Sequence, residues 1–141
     1  MERNRFERER QVLLGHLGAN QFRFFNVDSS DTYVVMGART NSGNVYTLRV
    51  ELDDFPFDIP PVYVTQMLTD IDGNPLDEVS AEMHVLTPKN GRTRICHYGP
   101  ASWTPAVSIF KVFVKCRLWL EMYELHLKTG RPIDYYLNHQ A

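Results

Sequence analysis

Two cysteines in 141 residues are too few for a disulfide framework, so the expected setting is a reducing compartment. Charge is nearly balanced. A net charge of -2 leaves no electrostatic footprint for nucleic acid and no polybasic attraction to a membrane surface. No apolar stretch approaches the roughly 20 residues needed to span a bilayer, and the opening MERNRFERER lacks the apolar run of a signal peptide. Two cysteines and scattered histidines match no metal-ligand spacing. The acidic stretch DIDGNPLDE fails as a calcium loop, because its glycine falls at the fourth position and the ligand spacing does not fit. It reads as a surface excursion. Internal repeats, low-complexity tracts and flexible linkers are also missing. These absences predict a cytoplasmic protein with no nucleic-acid, membrane, metal or cofactor partner.

What remains is one globular domain over residues 1–141, 43% apolar and 23% charged, long enough to bury roughly two thirds of the surface its unfolded chain would expose. RNRFERERQVLLGHLG reads as a helix with Phe6, Leu13, Leu14 and Leu17 inward and Gly18 as its stop. The first ten residues of the chain hold Arg3, Arg5, Arg8 and Arg10 against three glutamates, which is either a solvated face laced with ion pairs or a docking surface for a partner enzyme. Four strands are predicted next, over FRFFNVD, TYVVMGART, NVYTLRVEL and VYVTQML. Asn41-Ser42-Gly43 marks a hairpin between the second and third, and the third alternates Val45, Thr47, Arg49 against Tyr46, Leu48, Val50. Phe55 to Pro61, FPFDIPP, is a stiff link, since its prolines remove ladder donors. HVLT, a Pro-Lys-Asn-Gly turn and RTRIC follow. A long helix is predicted from Thr104 to about Lys128, ended by Gly130-Arg131-Pro132, with IDYYLNH as a last turn. The expected class is α+β in two layers: N-terminal helix, four-stranded antiparallel meander, irregular cysteine-bearing segment, long C-terminal helix.

The two cysteines read differently. Cys116 lies on the stripe Ile109, Phe113, Cys116, Leu120, Tyr123, Leu127, whose spacing marks one helix face, so a core role is expected. Cys96 ends a short basic strand and precedes Tyr-Gly-Pro, a junction that another protein can reach. An extended RTRIC puts Arg92, Arg94 and Cys96 on one face. The arginines there favour the thiolate, steer an acidic partner surface, or are ordinary cations on a solvent-facing strand edge.

FPFDIPPVYV, then His84, then ICHYGPASWTPAVSIFKV resembles the core signature of the ubiquitin-conjugating enzymes: an aromatic-proline link, a histidine stretch, a nucleophilic cysteine and a Trp-x-Pro before the next helix. The likeness covers roughly residues 30 to 125. The tail WLEMYELHLKTGRPIDYYL and the Cys-His-Tyr are more similar to the bacterial branch, whose members act in ubiquitin-like conjugation systems, some of them antiviral. Three residues, Phe57 to Ile59, separate the prolines where the eukaryotic pattern has two. His84 is not followed by Pro-Asn, and Asn90 is the nearest replacement for the family's catalytic asparagine. These departures bear on lysine attack more than on thioester formation.

The resemblance implies a transferase that accepts a ubiquitin-like protein from an activating enzyme onto Cys96 and passes it to an acceptor amine. It needs neither metal nor nucleotide, ATP being spent by the activating enzyme, for which the arginines of the first helix are the candidate docking face. The thiolate is the attacking species, and an oxyanion develops in aminolysis. Asn90 is either an oxyanion donor or simply the positive-φ residue of an Asn-Gly turn. His84 is a substitute donor, a loop-positioning group or a satisfied structural histidine. His97 is a base or, as a strand neighbour, points away. Trp103 reads as a lid on the core and Pro105 as the preset φ of the helix start. Two rivals stand beside this reading. One is a non-catalytic module of the same fold that holds a ubiquitin-like protein. The other is a cysteine hydrolase pairing Cys96 with His84 or His126.

Overall fold

A computed structural model describes residues 1–138, so His139 of the expected final turn lies outside the described residues. The chain runs α1 (Arg3–His16), β1 (Phe22–Phe25), β2 (Tyr33–Arg39), β3 (Val45–Glu51), β4 (Val62–Val64), β5 (Val85–Lys89), β6 (Arg92–Ile95), α2 (Ile109–Thr129) and α3 (Ile133–Asn138). The α+β class holds, but the sheet has six strands rather than four, all antiparallel, in the order β1-β2-β3-β4-β6-β5. Of the two extra strands, β6 is the short basic strand expected before Cys96, and β5 forms where HVLT and the Pro-Lys turn were expected. Asn90 and Gly91 both take positive φ, 54° and 72°, the backbone of a two-residue turn matched to strand twist. The resulting hairpin inserts β6 against β4 through Tyr63 and Arg94. That leaves β5 at the edge, with Pro88 and a register shift between Leu86 and Lys89.

Period-two alternation sets the buried face. Val34, Met36 and Ala38 of β2, with Leu48 and Val50 of β3, join Ile109, Val112, Phe113, Cys116, Trp119, Leu120 and Tyr123 of α2 in one core cluster. Leu127 is exposed rather than on the buried stripe, and His126 takes that place. In α1, Phe6 and Leu13 are buried and Leu17 packs against the core, but Leu14 faces outward and Glu9 faces in.

Glu9 explains both that exchange and the late start of α2. In a helix begun at Thr104, the Ile109 N–H would donate to the Pro105 carbonyl. Instead Ile109 N–H donates to Glu9 Oε1 at 2.7 Å, and Arg5 Nη1 donates to Pro105 O at 2.5 Å. Arg5 Nη2 also takes Val107 O, at 2.9 Å, and Arg5 Nε binds Glu9 Oε2 at 2.8 Å. The pair thus intercepts the first helical hydrogen bonds and places a carboxylate at the helix N-terminus, where the dipole favours it. Ser108 becomes the cap, accepting from Lys111 N. Pro105 therefore sits in a turn before the helix and not at its first position.

Candidate functional site

Cys96 lies one residue past β6. Val85 pairs with Ile95 and Leu86 with Arg94, which makes His84 and Cys96 the next opposed pair, and Cys96 N–H donates to His84 C=O at 3.0 Å. The His84 carbonyl also accepts from Trp119 Nε1 at 3.1 Å, shared with Met83 O. The bend before β5 is held further by Met83 N–H to Ser80 Oγ and by Asp134 N–H to Glu82 O at 2.8 Å. On the far side of Cys96, His97 Nε2 lies 2.8 Å from Pro60 O, and Trp103 Nε1 donates to Pro56 O at 3.1 Å. Edge-on ring contacts of Trp103 with Phe55 and with Tyr98 complete the seam. The aromatic-proline link and the cysteine segment are therefore stitched together, and Trp103 packs against the core.

Cys116 is core as its helix stripe predicts, while Cys96, expected to be exposed, is only partly so. Cys116 is fully buried and Cys96 is half-buried. Burial pushes the Cys96 thiol up, and the nearby Arg94 guanidinium only partly offsets it. The expected thiolate enrichment is thus corrected: Arg94 acts in the anticipated direction but is outweighed by loss of solvent. Burial raises Cys116 far more strongly.

His97 is pushed down to about 4, first by burial, with Arg94 and Lys115 adding to the effect and the Pro60 bond opposing it. It is neutral near pH 7, with Nε2–H donating to Pro60 and Nδ1 buried without a partner among the described residues. That makes it a tether and a weak base. Asn90 is not brought to the thiol. At about 3.3 Å per residue, β6 carries the turn roughly 15–20 Å from Cys96, beside Arg49, Glu51, Lys89 and Arg92. Of the two readings of Asn90, the oxyanion donor is out of reach, and the positive-φ turn residue is the one that fits.

His84 takes a left-handed backbone, φ 51°, and its Nε2 lies 2.8 Å from Asp134 Oδ1. Asp134, in the first turn of α3, escaped the sequence reading; no spacing links residues fifty positions apart. His126 is buried with both nitrogens used, Nε2 accepting from Ile71 N–H at 3.0 Å and Nδ1 facing Arg131 O at 2.9 Å. It anchors the 70s excursion to α2 and is not a free partner for Cys96. In that excursion Asp70 Oδ1 accepts from the backbone N–H groups of Asp72 and Asn74, as a turn requires.

Of the four arginines of α1, Arg5 is turned inward by its pair with Glu9, while Arg3, Arg8 and Arg10 remain exposed. Among the described residues no group of His, Cys, Asp and Glu could hold a metal ion, and no helix is long and apolar enough to cross a membrane. No protein-family model, curated protein or solved structure matches the chain.

Proposed function

We propose that the chain is a thioester carrier of the ubiquitin-conjugating kind: Cys96 accepts a ubiquitin-like protein from an activating enzyme and passes it to an acceptor. The observation that carries this reading is the position of Cys96, half-buried at the exit of a strand and opposite a histidine, while the second thiol is sealed in the core. The stitched aromatic-proline link, through Pro56 and Pro60, is the part of the resemblance that bears on the same site. Transfer onto Cys96 exchanges one thioester for another. The acyl carbon leaves the donor sulfur and bonds to Cys96 Sγ, and the Cys96 proton ends on the departing thiol. Neither metal nor nucleotide is required for that step. Arg3, Arg8 and Arg10 form the exposed cationic face for the activating enzyme, while Arg5 serves the fold.

The test is a charging assay with the purified chain, an activating enzyme and a ubiquitin-like protein from the same source, with and without ATP, on non-reducing gels. An ATP-dependent adduct that thiol reductant removes, and that Cys96→Ala cannot form, is the expected result. A self-charged activating enzyme that leaves this chain unmodified would overturn it. One observation favours the second reading, a non-catalytic module that holds a ubiquitin-like protein: burial keeps Cys96 protonated more firmly than an ordinary thiol. That module binds without charging.

A further inference from the structure

We infer that His84 and Asp134 form a proton-accepting dyad that assists amine attack on the thioester carried by Cys96. The inference rests on the thioester-carrier reading and assigns two residues a role in it.

Three observations converge on the pair. First, the sheet register opposes His84 to Cys96, joined by the 3.0 Å bond from Cys96 N–H to His84 C=O. Second, His84 Nε2 sits 2.8 Å from Asp134 Oδ1. An ionised carboxylate only accepts, so Nε2 carries the hydrogen and the lone pair is left on Nδ1, which has no hydrogen-bond partner among the described residues. The carboxylate thereby fixes one tautomer. Third, His84 holds a left-handed backbone, which is strained for a non-glycine residue and persists only where the surroundings impose it. Here they do, through Trp119 Nε1, Cys96 N–H and the Ser80–Met83 bond.

A purely structural clasp explains this poorly. The two side chains are 25% and 42% exposed, and pairs that open to water contribute little. The backbone strain is as large as the pair's return or larger. Glycine or asparagine would relieve it, yet a histidine stands there, with its ring aimed at an aspartate from another element.

The chemistry separates possible acceptors. A thiol acceptor is already partly ionised near neutral pH and needs little help. A lysine, with an ordinary pKa of about 10.4, arrives as ammonium and must lose a proton before it can attack. In the proposed step the amine nitrogen bonds to the thioester carbonyl carbon and the carbon–sulfur bond breaks. His84 Nδ1 takes the ammonium proton before attack and gives it up to solvent, and the second amine proton ends on the departing Cys96 thiolate. The products are an amide and a free thiol. Asp134 is a positioning residue that holds the imidazole and balances its transient charge.

The experiment charges the wild-type chain and variants with the ubiquitin-like protein, removes ATP, and follows loss of the thioester after adding either free L-lysine or mercaptoethanesulfonate. His84→Gln and Asp134→Asn should slow discharge to lysine about 100-fold, the lower end for general-base catalysis. Charging and discharge to the thiol should stay within about twofold of wild type. Asp134→Glu should recover most of the lysine rate. Unchanged lysine discharge in both variants of a chain that charges normally overturns the dyad alone. A parallel fall in lysine and thiol discharge, with a lowered melting temperature, also overturns it and makes the pair a clasp. A wild-type chain that never charges overturns the carrier reading and this inference together.

Discussion

The two ends of the chain are each tied down by an acid–base pair, in opposite surroundings. At the N-terminal end Arg5 and Glu9 are 12% and 5% exposed, share a 2.8 Å contact, and spend their remaining hydrogen bonds on Pro105, Val107 and Ile109. At the C-terminal end His84 and Asp134 are 25% and 42% exposed and leave a ring nitrogen uncommitted among the described residues. The thiols repeat the contrast, Cys116 sealed under α2 and Cys96 at the border of solvent. A polar group whose every valence goes to the fold can only stabilise it. One left partly uncommitted keeps an atom for a further partner.

The sharpest way to break this contrast is to remove one acid from each pair. Glu9→Ala strands the buried Arg5 guanidinium and the Ile109 N–H, and should cost about 3–5 kcal/mol. Asp134→Asn, in a partly exposed pair, should cost about 1 kcal/mol or less. Urea unfolding of the two variants decides it, and equal costs would erase the distinction. Next in size, Cys116→Ser puts a hydroxyl into an apolar site and should cost about 1–3 kcal/mol, while Cys96→Ser should change stability by about 0.5 kcal/mol or less. Iodoacetamide should modify Cys96 in the native protein and reach Cys116 only on unfolding. Because burial raises the Cys96 thiol, its labelling rate should still be climbing above the usual thiol range.

The smallest effect at neutral pH belongs to His97. Its folded value of about 4 lies below the ordinary 6.5 or so of an unfolded histidine, so the unfolded chain binds a proton there first. Its contribution to stability is present above the ordinary value and is lost as pH falls through about 4. His97→Gln, which keeps an N–H for Pro60, should flatten this acid limb in urea titrations between those two values.

What the sequence disclosed was what depends on near neighbours. The alternation of β3, the turn residues Asn41 to Gly43 and the apolar stripe of α2 through Tyr123 could all be read, because each is a local period or a local dihedral demand. The meeting of β6 with β4 could not, since only tertiary packing decides which strand the hairpin joins. Leu14 reads as inward because an apolar residue on a helix usually is; it loses that place to Glu9, whose partners Arg5 and Ile109 lie on two separate elements. Trp-Thr-Pro imitated a helix start for the same reason, with the hydrogen bonds that would have continued it claimed from a hundred residues away. At the site, Cys96 stood out by its context, whereas Asn90 attracted attention through family likeness and proved to answer a backbone need.

The proline and the register shift of β5 bear on how this molecule keeps company. A sheet ends in a row of amide groups that invites any stray extended chain to add itself. On β5, Pro88 has no amide hydrogen to offer and the offset between Leu86 and Lys89 puts neighbouring groups out of step. Growth by strand addition is therefore discouraged at the edge that carries the hairpin of Cys96. A partner on that side is met by side chains and not by an added strand.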